Sequence, residues 1–183
     1  AVVFPDKNAG GVVVSTGEAS VLFSGETAAL AEHVAANLPA RFVTPDLKAL
    51  YTADPAWKAV PVAVSFDLSL AAYLLNPEER DYSFPHLVRR WTEQVSDSVS
   101  PSADPCRFAL KLYEVLAARL AAAEQDSLMR DLEMPLIPIL KSMEEAGVRI
   151  DRTAFTDFLA YVQKDLDRLE KHIHELAGGA RSY

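Results

Sequence analysis

Asp6, Asp46, Asp67 and Asp104 are the residues whose type and placement suit metal chemistry. Carboxylate oxygens bind magnesium, and several converging on one point can activate a water and stabilise a leaving oxygen in phosphodiester hydrolysis. Asp46, Asp67 and Asp104 also have a structural use, because each stands where an apolar-periodic run begins. There, aspartate accepts hydrogen bonds from the open N–H groups of a first helical turn. We read them as helix caps, with a displaced metal site as the alternative. His172 and His174 are two positions apart, so on a helix they do not share a face and do not chelate together. One of them is expected to face solvent. Arg89-Arg90-Trp91 sets cations beside a stacking ring, a pattern that suits single-stranded nucleic acid. Basic residues also suit the end of a helix and a tryptophan suits a core, and that is the assignment we favour. The single cysteine, Cys106, permits neither an internal disulfide nor a thiolate zinc site.

The elements that carry these residues are set by pattern. Residues 1–4, 11–16 and 18–24 read as three strands separated by turn residues, the last two forming a hairpin around Gly17. Leu30, Val34 and Leu38 place an amphipathic helix over 26–38, ended by Pro39. A short strand over 41–44, a short helix over 46–53 and a strand over 60–64, confined to an edge by Pro61, come next. From Asp67 the pattern is helical: 67–75, 85–91, and, after a serine-rich loop over 94–104, a long helix over 105–124 with Pro105 at its first position. The last helix, 152–177, has Phe155, Phe158, Leu159, Val162, Leu166, Leu169, Ile173 and Leu176 in one stripe. On its charged face, Asp167 and Lys171 are spaced for an i,i+4 pair. Strands first, then alternation, then helices argue for an α/β domain with a helical extension.

The most informative run is 132–151, LEMPLIPILKSMEEAGVRID. Leu128, Leu132, Leu136, Ile139, Leu140 and Met143 form an apolar stripe, and Pro135 and Pro138 predict a bend or a fresh helix start near Pro135. Gly147 can supply a left-handed stop, and Asp151 can cap the last helix. This run closely resembles the segment of family A DNA polymerases, the bacterial DNA polymerase I type, that joins the 3′–5′ exonuclease domain to the polymerase domain. Glu133, Pro135, Leu136, Leu140, Met143, Glu144, Gly147, Val148 and Asp151 fit its pattern E-x-P-L-x-x-x-L-x-x-M-E-x-x-G-V-x-[ILV]-D. Residues 66–75, FDLSLAAYLL, are similar to the family's F-D-T-x-L-x-x-Y-L-L helix, and 87–91 to its L-A-x-R-W.

The resemblance implies a ribonuclease H-like 3′–5′ exonuclease fold, a mixed sheet flanked by helices, with a C-terminal helical extension. Such exonucleases hold two divalent cations about 3.5–4 Å apart on clustered carboxylates. In this sequence the ligand positions that the family's motifs assign are occupied by Pro5, Lys7, Leu50 and Pro105, and Pro101 stands where a tyrosine is expected. None of these can replace a carboxylate, and a lysine would repel the metals.

The resemblance therefore implies a degenerate exonuclease-like domain over 1–126, and over 127–183 a helical connector with the start of a polymerase domain. The expected function is a catalytically inactive scaffold for the polymerase domain of the same chain in DNA replication or repair. The alternatives are an active proofreading exonuclease on the displaced aspartates and a non-enzymatic protein-binding module. No cofactor is expected for this segment, magnesium is expected for the parent polymerase, and DNA is reached through the parent. The net charge of −8, from 18 basic and 26 acidic side chains, argues against a free-standing nucleic-acid binder. No apolar run approaches the roughly 20 residues of a membrane span, and no basic-then-apolar leader opens the chain. A monomeric, cytoplasmic protein without membrane contact is the resulting expectation.

Overall fold

Short runs rich in valine and phenylalanine pair into a five-stranded sheet. The computed structural model describes residues 2–6, 11–15, 20–23, 27–37, 41–92 and 105–178. Strands β1 (Val2–Asp6), β2 (Gly11–Ser15) and β3 (Ser20–Phe23) form an antiparallel meander. On its other edge β1 runs parallel to β4 (Phe42–Thr44), and β4 runs parallel to β5 (Ser65–Asp67), giving the order β3-β2-β1-β4-β5. Helices lie between and after these strands: α1 (Thr27–Asn37), α2 (Leu47–Ala53), α3 (Leu68–Leu75), α4 (Phe84–Trp91) and α5 (Pro105–Ala122). The fold class is α/β, as the order of patterns implies.

The strand expected over 60–64 is not formed there. Pro61 offers no N–H and holds φ at −61°, so Val62–Val64 closes as a 3-10 turn with the Val64 N–H on the Pro61 carbonyl. Pairing begins only at Ser65, which registers with Phe42. The loop expected over 94–104 lies outside the described residues.

Alternation along the two parallel strands divides the core. Val43 and Phe66 are register partners, and Phe66 meets Tyr113 of α5 edge-on at 4.8 Å between ring centroids. Phe42 projects to the other face and stacks on the fully buried Trp57 at 5.7 Å. Trp57 belongs to a 3-10 turn, Pro55–Ala59, which the Thr27 hydroxyl ties to α1 by donating to Asp54. Leu112, Leu116 and Leu120 recur at spacing four on α5 and are all fully buried. Past Ala122, Glu124 takes the left-handed φ of 57°, and the Gln125 N–H reaches back to the Leu120 carbonyl. This is the closing bond of a Schellman stop, made with glutamate where glycine is usual.

No fresh helix start forms at Pro135; helical backbone continues from Asp126 to Ala146 through a widened turn. After a single turn, α6 (Asp126–Leu128), a wide π turn spans Met129–Glu133 and closes when the Met134 N–H donates to the Met129 carbonyl. Pro135 lies in the first turn of α7 (Met134–Ala146), where a missing N–H costs little, and Pro138 lies within the helix. Gly147 takes φ 67° and ends α7.

Residues divide into two compact units, 1–145 and 146–183. In the second, Asp151 caps α8 (Arg152–Leu176) by accepting from the Thr153 and Ala154 N–H groups. The apolar stripe of α8 is exposed from Phe155 to Leu176 except at the half-buried Val162. Asp167 and Lys171 do not pair with each other. Each has another neighbour four residues away, so Asp167 accepts from Gln163 at 2.8 Å and Lys171 approaches Glu175 at 4.0 Å. Among the described residues, no helix is long and apolar enough to cross a membrane.

Thr44, at the end of β4, is fully buried and its hydroxyl makes no hydrogen bond to another protein group. Replacing an unsatisfied buried hydroxyl by a methyl removes its desolvation cost. Thr44→Val is therefore expected to raise unfolding stability by about 1 kcal/mol. A urea titration followed by circular dichroism checks this, and a lowered midpoint would contradict it.

Candidate functional site

The carboxyl ends of β4 and β5 bring two of the four candidate aspartates together. Asp46 directly follows the turn after β4, and Asp67 is the last residue of β5. Both line a pocket of about 270 Å³, with Lys48, Ser69, Tyr73, Tyr82 and Leu140 among its walls. In open α/β sheets, ligands characteristically bind outside such strand ends.

Both oxygens of Asp67 and one oxygen of Asp46 are, however, engaged by backbone. Asp46 Oδ1 accepts from the Ala49 N–H at 2.8 Å and caps α2. Asp67 Oδ1 accepts from the Leu70 N–H at 2.9 Å and caps α3, while its Oδ2 accepts from the Leu47 N–H at 2.7 Å, in the first turn of α2. One carboxylate thus serves two helix starts about twenty residues apart. Burial pushes the Asp67 carboxyl up to about 7, against the Leu47 and Leu70 N–H groups, which favour its charged form, and Asp46 adds to the rise. Among the described residues, no cluster of three His, Cys, Asp or Glu side chains could hold a metal ion.

The other predicted positions are dispersed. Asp6 and Pro5 lie on β1 opposite Gly11 and Val12. Leu50 is fully buried on the inner face of α2, in contact with the main core. Pro105 is the first residue of α5. Lys7 and Asp104 lie outside the described residues, as does Pro101. His172 and His174 are both exposed on α8. Trp91 is half-buried against the core, and the Arg119 guanidinium lies 4.8 Å above its ring, so that face is taken. Arg89 and Arg90 are exposed, with Arg90 approaching Glu79 at 4.0 Å.

Sequence reasoning missed the second bond of Asp67, to Leu47. A cap to the adjacent helix is local and readable, whereas a bond to another helix start depends on strand pairing. It also missed the ion pairs of Lys48 with Glu144 and of Lys58 with Glu145, which join residues 96 and 87 positions apart. Their only sequence signal is opposite charge.

No protein-family model matches the chain. About two thirds of it is similar to DNA polymerase I. The match to the enzyme of Bacillus caldotenax is 34% identical over 143 residues, 67% of this chain and 16% of that protein. That to the enzyme of Geobacillus stearothermophilus is 30% identical over 142 residues, with the same shares. The thermostable DNA polymerase I of Thermus aquaticus is 32% identical over 118 residues, 61% of this chain and 13% of that protein. The chain therefore spans only about a sixth of the length of these relatives.

Leu50→Asp is expected to destabilise the protein by more than about 3 kcal/mol, because it buries a charge without a partner. Thermal unfolding reads the loss, and an unchanged midpoint would show that position 50 is not core. Asp67 should make stability depend on pH, because its folded-state pKa lies above its ordinary value of 3.8. Its contribution to stability is fully present below that value and is lost as pH rises through about 7. Asp67→Asn should accordingly flatten the fall in stability between these limits. Urea midpoints measured across this pH window that fall equally in both proteins would contradict the assignment.

Proposed function

We propose that this chain is the exonuclease-like segment of a family A DNA polymerase, followed by the connector and the first helix of its polymerase domain. The similarity to DNA polymerase I supports the family, and the sheet order β3-β2-β1-β4-β5 supports a ribonuclease H-like fold. In this proposal 1–126 is the exonuclease-like part and 127–183 the connector and beginning of the polymerase part. The functional boundary and the packing boundary differ, since α6 and most of α7 belong to the first compact unit.

The segment performs no chemistry in this proposal and serves as a scaffold. The observation that carries it is Leu50. It occupies a metal-ligand position of the family's motif, yet it is fully buried. Two-metal hydrolysis needs converging carboxylates, whereas Pro5 and Pro105 have none and Asp46 and Asp67 commit theirs to helix starts. Among the described residues, the carboxylates do not fit a pair of divalent cations. Magnesium, DNA and deoxynucleoside triphosphates are proposed as the business of the parent polymerase, in a cytoplasmic, monomeric enzyme.

A protein-binding module is the second possibility, and the exposed stripe of α8 favours it. In the scaffold proposal that stripe is covered by the polymerase domain of the same chain. Nuclease activity is tested by incubating the 183-residue chain with end-labelled single-stranded DNA and magnesium or manganese. The expected result is no shortening from the 3′ end above a buffer control. Shortening that Asp104→Ala or Asp46→Ala abolishes, with the circular dichroism spectrum unchanged, would establish an active exonuclease on displaced ligands.

A further inference from the structure

The last turn of α7 is electrostatically at odds with itself. Glu144 and Glu145 sit at the negative end of the helix dipole, and the turn contains no basic residue. Apolar packing does not compensate. The buried residues of α7 are Met134, Ile137 and Lys141, and everything from Ser142 to Ala146 is exposed. Taken alone, this turn should fray back towards Lys141.

Two lysines from other elements meet the two acids. Lys48 Nζ of α2 lies 2.7 Å from Glu144 Oε1, and Lys58 Nζ of the Pro55–Ala59 turn lies 2.9 and 3.1 Å from the two oxygens of Glu145. Lys141 Nζ adds a longer contact to Glu145 at 3.9 Å. The Glu144 carboxyl is held below its usual range by the Lys48 hydrogen bond, and Lys48 is raised chiefly by the same bond. We propose that the Lys48–Glu144 and Lys58–Glu145 pairs form a salt-sensitive latch that keeps the final turn of the connector helix folded and docked on α2 and the Pro55–Ala59 turn. The stretch 46–50, which resembles a metal-binding motif, acts here as an anchor through its lysine.

The latch is independent of whether the segment cleaves DNA, and its test reads no DNA chemistry. Each lysine is about two-fifths exposed, so removing it leaves the core intact. Amide hydrogen exchange is measured on the 183-residue chain, on Lys48→Gln/Lys58→Gln, on Glu144→Gln/Glu145→Gln, and on all four changes combined. At low salt, the lysine changes should speed exchange at 143–146 by about 2- to 30-fold, the range for two exposed ion pairs. The difference should shrink towards unity at about 1 M salt, where the screening length is roughly 3 Å. In the glutamine background the lysine changes should do nothing, which is the signature of a pairwise interaction. Equal effects with and without the acids, or no effect in the native background, would each overturn the proposal.

Discussion

The Asp67 carboxylate is the interaction on which the middle of this fold depends. It ends β5, opens α3 through the Leu70 N–H, and holds the start of α2 through the Leu47 N–H. Helix starts expose N–H groups that must find acceptors, and here a single buried side chain provides them for two helices. Because β4 and β5 pair with Thr44 opposite Asp67, the bond to Leu47 can form only once the parallel strands are in register. Local capping and tertiary register are thereby coupled in one residue. The cost is a carboxyl buried among groups that do not fully replace water, which is why its pKa rises.

The same commitment occupies both Asp67 oxygens at helix starts. Asp46 gives one oxygen to a helix start, and Leu50 faces the core. A site that hydrolyses phosphodiesters needs carboxylates free to converge, and these strand ends use theirs to hold helices in place. The connector, within the first compact unit, is likewise fixed by many small devices. It carries a wide turn ahead of two prolines, is seated by Met129, Met134 and Ile137, and is held at its last turn by charge.

Much of this was legible in the sequence. Helical periodicity located α1, α5 and α8 to within a few residues, and Gly147 and Asp151 take the stop and cap roles their types imply. Pro61 is recognisably hostile to a strand, but its type does not say how far it delays pairing. The fifth strand is shifted to Ser65–Asp67 because a 3-10 turn satisfies the Val64 N–H first. The charge pairing on α8 differs from the expected one because helical geometry gives each residue neighbours four positions away in both directions. Tertiary links such as Asp67 to Leu47 and Lys48 to Glu144 had no local signal at all.

That the strand ends carry no metal site is tested most directly by titrating manganese into isotopically labelled protein and observing paramagnetic broadening of the amide resonances of Asp46, Leu50 and Asp67. Only weak, non-saturating broadening, spread over exposed acidic residues, is expected. Saturable broadening centred on those three amides at micromolar metal would contradict the assignment of these carboxylates to helix starts.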